Sequence, residues 1–416
     1  MNTHGKRNST SRGVTRREFL GISGTLGALA LLLHGVSDLQ ERNNPFLVDD
    51  FPMRTEVSLQ SSYKGKVSHL YTARLYPDDL KEEFSAIGNF FSAPVTVFSE
   101  DDFYSDHPKV ESIRIDRVQH PWLRDLLLAA NDGTIFTNAL GYSQVQRDRN
   151  QQLSLTRQVQ QILEHLVEEK AMSAYSTPLL FEGGQVLKTD RHTLIPDFFN
   201  DLRAIPFHPQ RDYYSARDLL QNIFGEVILI PTMLEGKVLL GGHLDEFITI
   251  LSPDTIAVGD VTLARGIISD VDPSAIRAYQ EMLRDYAQNS RNHQFMQDLP
   301  VLHAQHFPFA EEVAKMCDAT AQVLGRYYTV VRVPLLVTSS TSSDDQVSPK
   351  LFSYNNALVE FPGKIALPVY GIKELDDEAK AIMVKQGYKD ILGVDSKEGI
   401  FTKGEVHCNY FELRAA

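Results

Sequence analysis

Leu239-Leu-Gly-Gly-His-Leu-Asp-Glu-Phe-Ile-Thr-Ile-Leu251 sets an imidazole and a carboxylate two residues apart, behind a glycine pair and ahead of an apolar run. Read as a β-strand, this stretch puts His243 and Asp245 on one face and Glu246 on the other. The glycines permit close backbone approach. Alone, such a pair is more often structural than chemical. Joining His243 to His303 and His306 would make a metal site, but without the ordered spacing that ligands usually show, and no metal is expected.

Working outward, three more segments mix apolar and reactive residues. Trp122-Leu-Arg-Asp125 runs into Leu126-Leu-Leu-Ala-Ala130, where a carboxylate is either at an element end or paired with a cation. Glu182-Gly-Gly184 sits inside an apolar hairpin pattern over 178–188, and its carboxylate could orient an imidazole. Val406-His-Cys408 ends in one of only two cysteines. The other, Cys317, follows a helical pattern and reads as a small buried hydrophobe. Cys408 lies in an irregular, Gly-flanked segment where chemistry is expected. His407 is assigned no role, because consecutive side chains in extended backbone point apart.

The N-terminus is of another kind. Thr15-Arg-Arg-Glu-Phe-Leu20 follows a basic, Ser-rich stretch and precedes an apolar run over 26–33 that is too short for an ordinary membrane helix. This pattern predicts a twin-arginine signal over 1–37, with a linker over 38–64 and one catalytic domain over 65–416. Export to the periplasm or the extracellular space follows, with no membrane span after the signal. A chain bound for an oxidising compartment with two cysteines is not a disulfide scaffold.

The 416 residues are 43% hydrophobic and 23% charged, with a formal charge of -13, so the composition is globular and argues against a nucleic-acid partner. Strand and helix patterns alternate. Residues 66–76, 94–98, 133–140, 227–231 and 328–337 read as strands; 78–91, 153–171, 273–287, 310–325 and 374–386 read as helices, the last ending at Gly387. The class is α/β or α+β with mixed sheets. A Ser/Thr-rich stretch over 338–345 predicts a surface loop. There is no phosphate-cradling glycine loop and no paired-cysteine zinc motif, and no cofactor is expected.

In order, Trp-x-Arg-Asp, Glu-Gly-Gly, Gly-His-x-Asp, Ser353-Tyr-Asn-Asn356 and His-Cys resemble the guanidine-modifying (pentein) superfamily, closest to agmatine deiminases and bacterial peptidylarginine deiminases, over about residues 65–412. The resemblance implies a five-bladed α/β propeller of ββαβ units. It also implies hydrolysis of a C–N bond in a linear amidine, turning the guanidinium of arginine, agmatine or a peptide's arginine into a ureido group plus ammonia. Cys408 would be the nucleophile, His243 the acid and base, and Glu182 its partner. Asp125 and Asp245 would grip the guanidinium, with Trp122, Arg124 and Asn356 at the substrate. Two departures stand out: a thinned glycine run before Cys408, and Gln185 where relatives carry a small or acidic residue. Amidinotransferases of the same fold and non-catalytic guanidine binders remain alternatives. A cysteine protease fits poorly, having no use for two cation-binding aspartates.

Overall fold

The computed structural model describes residues 58–74, 80–101, 107–118, 122–137, 149–170, 172–176, 181–200, 224–289, 299–302, 308–341, 349–397, 399–402 and 406–415. The signal over 1–37, His303, His306 and residues 342–345 of the Ser/Thr-rich stretch lie outside them, while 338–341, expected to be surface loop, instead continue the strand Thr329–Thr341.

One pairing recurs in every larger sheet. A first strand runs antiparallel to a second, and the second runs parallel to a third. In one sheet these are Leu127–Ala129, Thr134–Thr137 and Ser173–Ser176. In the next they are Leu187–Lys188, Thr193–Pro196 and Val227–Ile230. Ile248–Ser252, Thr255–Asp260 and Thr329–Thr341 repeat the scheme, extended by Leu299–Val301 and Pro349–Ser353. Leu358–Glu360, Lys364–Val369 and Asp390–Asp395 repeat it again. The remaining sheet has Val67–Arg74 parallel to Val95–Ser99, with Val110–Arg114 beyond, and its antiparallel first strand is the C-terminal Phe411–Arg414. The chain's two ends therefore close a ring of five ββαβ units, the propeller that the resemblance implies.

Among the described residues, helices join the parallel strands of four sheets, because a parallel crossover needs a long connection that packs back on its sheet. Lys81–Phe91 buries Phe84, Ile87, Gly88 and Phe91, a stripe spaced as a helix requires. Pro273–Asn289 does the same with Ile276, Tyr279, Leu283 and Ala287. Val261–Asp270 is capped by Asp260, whose Oδ1 accepts from the Leu263 N–H at 2.8 Å. Lys373–Lys385 stops ahead of Gly387, which has φ +93. Cys317 lies fully buried on the helix Pro308–Leu324, as its pattern predicts.

The body begins earlier than the sequence reading places it. Residues 58–64, assigned to a linker, pack on the sheets: Leu59 bridges to Ala130, Lys64 bridges to Phe361, and Tyr63 is fully buried. Among the described residues no helix is long and apolar enough to cross a membrane.

Candidate functional site

Each unit ends its approach to its first strand in a tight turn, and the candidate residues sit on these turns. Asp125 lies on the one-turn helix Leu123–Leu126, just ahead of Leu127–Ala129. Glu182 heads the 3-10 turn Gly183–Gln185 ahead of Leu187–Lys188. His243 and the turn Leu244–Glu246 precede Ile248–Ser252. Asn356 precedes Leu358–Glu360, and Cys408, on Val406–Asn409, precedes Phe411–Arg414. Residues hundreds of positions apart in sequence meet because each occupies the same place in its unit. The strand reading of His243 to Asp245, the hairpin reading of Glu182 and the irregular reading of Cys408 all give way to short helical turns.

His243 is at the centre. Its Nε2 lies 2.6 Å from Glu182 Oε2, and its Nδ1 lies 3.8 Å from Asp125 Oδ1 and 3.9 Å from Asp245 Oδ1. Burial disfavours an imidazolium here, but Asp125, Glu182 and Asp245 outweigh it and hold His243 well above the usual histidine range. Backbone conformation contributes to this aim. Leu240, Gly241 and Gly242 are successively left-handed, at φ 51, 61 and 77, and a Cβ on Gly242 would come within 2.3 Å of Phe198.

The Glu-Gly-Gly glycines serve close approach. A Cβ on Gly184 would lie 2.6 Å from both His243 Nδ1 and Asp245 Oδ1, and the Gly184 N–H donates to Asp125 Oδ1 at 3.3 Å. Gln185, the departure from the family pattern, braces the two turns. Its Oε1 accepts from the Glu182 N–H at 3.0 Å and its Nε2 donates to the Gly241 carbonyl at 3.1 Å.

The nucleophile candidate is held from two sides. Cys408 Sγ donates to Asp245 Oδ2 at 3.2 Å and accepts from Asn356 Nδ2 at 3.0 Å. Asn356 Oδ1 accepts from the backbone N–H groups of His407, at 2.8 Å, and Cys408, at 3.1 Å. Burial, then Asp245, Glu246 and Asp125, push the thiol well above its ordinary range, with Asn356 opposing. In the free site these influences favour the protonated thiol.

The two aspartates differ. Burial raises Asp125 to about 7; His243 opposes this, and the neighbouring carboxylates of Glu182 and Asp245 add to it. Burial pushes Asp245 the same way, but the His407 hydrogen bond and charge overcome it and leave its carboxyl below the usual range. Asp245 Oδ1 is buried with no hydrogen-bond partner.

Four expectations are corrected. Arg124 does not reach toward the thiol: it is buried, with Nη1 3.5 Å from Glu412 Oε1 and Nη2 3.4 Å from the Val186 carbonyl, and a second cation would repel a cationic substrate. Asn356 spends its amide on the Cys408 turn and the Asp245 carbonyl. Glu246 is not solvent-facing on an opposite strand face; it is 5% exposed, and its charge bears on Cys408. His407, denied a role by strand logic, has Nδ1 2.8 Å from Asp245 Oδ2. On a helical turn, neighbours can address one partner. Trp122 sits half-buried at the start of the Asp125 turn.

Two groups of potential metal ligands arise among the described residues: His243, Asp245 and Cys408, and Asp125, Glu182 and His243, each with atoms within 4.8 Å. The same atoms suit a planar organic cation. Three carboxylates around one imidazolium leave negative charge in excess, and a guanidinium presents its N–H donors in a plane for several carboxylates at once.

A family model described as Porphyromonas-type peptidyl-arginine deiminase matches residues 77–412. Among solved structures, a C. jejuni agmatine deiminase superposes with a TM-score of 0.58 at 14% identity, covering 86% of this chain and 97% of that one. An Enterococcus faecalis agmatine deiminase does so at 0.57 and 14%, covering 88% and 98%. A cysteine-to-serine variant of the C. jejuni enzyme with substrate bound gives 0.54 and 13%, covering 86% and 97%. Such identities show the shared fold. No curated protein matches the chain.

Proposed function

Because the chain belongs to the Porphyromonas-type peptidyl-arginine deiminase family, we propose that it is an exported deiminase of arginine side chains in peptides, acting through Cys408. The enzyme is a guanidine-group hydrolase of C–N bonds; the substrate, the roles of single residues and the export are our reading. The observation that carries the roles is Asp245 Oδ1, buried without a hydrogen bond and 3.9 Å from His243 Nδ1, on the carboxylate whose other oxygen accepts from the thiol. A buried acceptor left open costs about 1–3 kcal/mol unless a ligand fills it.

The guanidinium would lie between Asp125 and Asp245, with its central carbon over Cys408 Sγ. Its positive charge supplies what the free site lacks for a thiolate, so the Cys408 proton leaves, by way of Asp245 Oδ2 to solvent, once substrate is bound. The thiolate forms a C–S bond to the guanidinium carbon. His243, already charged, protonates an amino nitrogen of the adduct, and ammonia departs with the C–N electron pair. The neutral imidazole then takes a proton from water as hydroxide adds to the thiouronium carbon. Collapse breaks the C–S bond, whose electron pair returns to sulfur, while the adduct's hydroxyl proton passes to that sulfur, restoring the Cys408 thiol and releasing the neutral ureido product. Glu182 keeps His243 aimed and favours its charged form in the first half.

The family supports peptidyl arginine, and so does the twin-arginine pattern over 1–37, since export removes an enzyme from intracellular agmatine. Ureido-product assays on agmatine, free arginine and a blocked arginine peptide, run in parallel, decide the substrate. The peptide is expected to give the highest kcat/KM. A higher value for agmatine would overturn the substrate assignment, and no ureido product from any of the three would overturn the activity. For export, Arg16→Lys with Arg17→Lys should retain the protein in the cytoplasm; unchanged secretion would sink that part.

A further inference from the structure

We infer that His407 is a positioning residue for guanidinium binding: its imidazole takes up one oxygen of Asp245 and leaves the other facing the substrate. The inference rests on the reading of Asp245 as a guanidinium ligand. Asp245 Oδ2 meets two protein donors, His407 Nδ1 at 2.8 Å and Cys408 Sγ at 3.2 Å, while Oδ1 meets none. A carboxylate so divided cannot swing: rotation about its terminal bond would exchange the satisfied oxygen for the open one and break both contacts.

His407 is itself held from behind. Its backbone N–H is bound by Asn356, and its Nε2 faces Glu412 Oε1 at 3.8 Å. Glu412 Oε1 is shared with Arg124 at 3.5 Å and Arg414 at 3.7 Å, all deeply buried. Arg124, Glu412, His407 and Asp245 thus form a continuous polar row behind the reacting centre. This row gives the arginine of the Trp-x-Arg-Asp segment a place: it anchors the carboxylate against which His407 rests. The same row explains the asymmetry of the aspartates. Against burial, the His407 contact is the foremost influence holding the Asp245 carboxyl down, whereas for Asp125 the foremost opposing influence is the His243 charge.

The test compares three substitutions. Asparagine carries an amide nitrogen about as far from Cα as Nδ1, so His407→Asn keeps a donor for Asp245. Glutamine places its amide nearer the Nε2 position, and alanine removes the donor. The guanidine that the parent turns over best, among agmatine, free arginine and a blocked arginine peptide, serves as substrate. It also serves as the titrant on a Cys408→Ser background. We expect His407→Ala and His407→Gln to raise KM and the binding constant about tenfold to hundredfold with a smaller fall in kcat, and His407→Asn to stay within about threefold of the parent. If His407→Ala does not fold, the Asn and Gln pair carries the comparison, with Tm measured for each. Equal losses of Tm in Asn and Gln with KM unchanged would mean packing only and would overturn the inference. No turnover by the parent on any of the three guanidines would instead overturn the functional reading.

Discussion

Cys317 and Cys408 are both buried, and burial pushes both thiols up, Cys317 to about 12. Their surroundings nonetheless differ in kind. Cys317 lies on the long helix Pro308–Leu324 within an apolar cluster that includes Val313, Met316 and Leu324. Cys408 lies on a single helical turn, touched by an amide nitrogen and a carboxylate oxygen. Burial alone therefore makes an inert thiol. What separates Cys408 is a shell that disfavours its ionisation while empty and can favour it once a cation is bound. On the proposed mechanism Cys408 is a conditional nucleophile, and the condition is the substrate.

Cys408→Ala should sharpen that contrast most, abolishing ureido formation while the circular dichroism and Tm stay close to the parent. Residual turnover near the parental rate would remove the covalent step. Asp245→Asn and Asp125→Asn come next. Removing one partner of a buried charged hydrogen bond costs on the order of 2–5 kcal/mol, or roughly 30-fold to several thousand-fold in kcat/KM. Asp245→Asn is expected to be the worse, since it also disturbs Cys408 and His407; a change of about threefold or less in both would take the aspartates out of the site.

A pH effect follows from the same shell. Asp125 is raised to about 7, so below that pH it takes a proton and loses its grip on a guanidinium, while His243 stays charged. kcat/KM should therefore fall as pH drops through about 7, by up to tenfold per unit, because this parameter reports the free enzyme. In Asp125→Asn that limb should vanish; its persistence would assign it to another group. The smallest effect is expected from Cys317→Ala, which should lower stability by about 1 kcal/mol, in line with deleting a small buried group, and leave kcat/KM unchanged. A large loss of activity there would break the distinction between the two cysteines.

Much of this was legible before folding. The helices over 273–289 and 308–324 announce themselves by apolar spacing, and the motif order brings together Asp125, Glu182, His243, Asp245 and Cys408. Other features leave little trace. The fivefold repeat is hidden because its strands are short, as short as Leu187–Lys188, and too few residues alternate to carry a period. The turn His243 to Asp245 is misread as a strand because its residues are polar and apolar by turns, as in a pleated strand, and His407 is judged by the same extended-backbone logic. That error also hid His407 and misplaced Glu246. Arg124 misleads for another reason: a motif shows which residues travel together, while only the fold shows that Arg124 reaches Glu412 and Asp125 faces His243.

The closing strand Phe411–Arg414 pairs with Val67–Arg74, the first strand of the ring, and carries the thiol turn in with it. Of the described strands it is the last to be made, so a chain synthesised only as far as Asp395 carries Asp125, Glu182 and His243 but neither Cys408 nor the strand that completes the first sheet. Bringing ends more than three hundred residues apart together adds little equilibrium cost, since loop entropy grows only with the logarithm of length, but it makes closure a late, non-local event. On the proposed roles, reactivity and closure are thereby one event: the turn that brings Cys408 to Asp245 is carried by the strand that completes the first sheet.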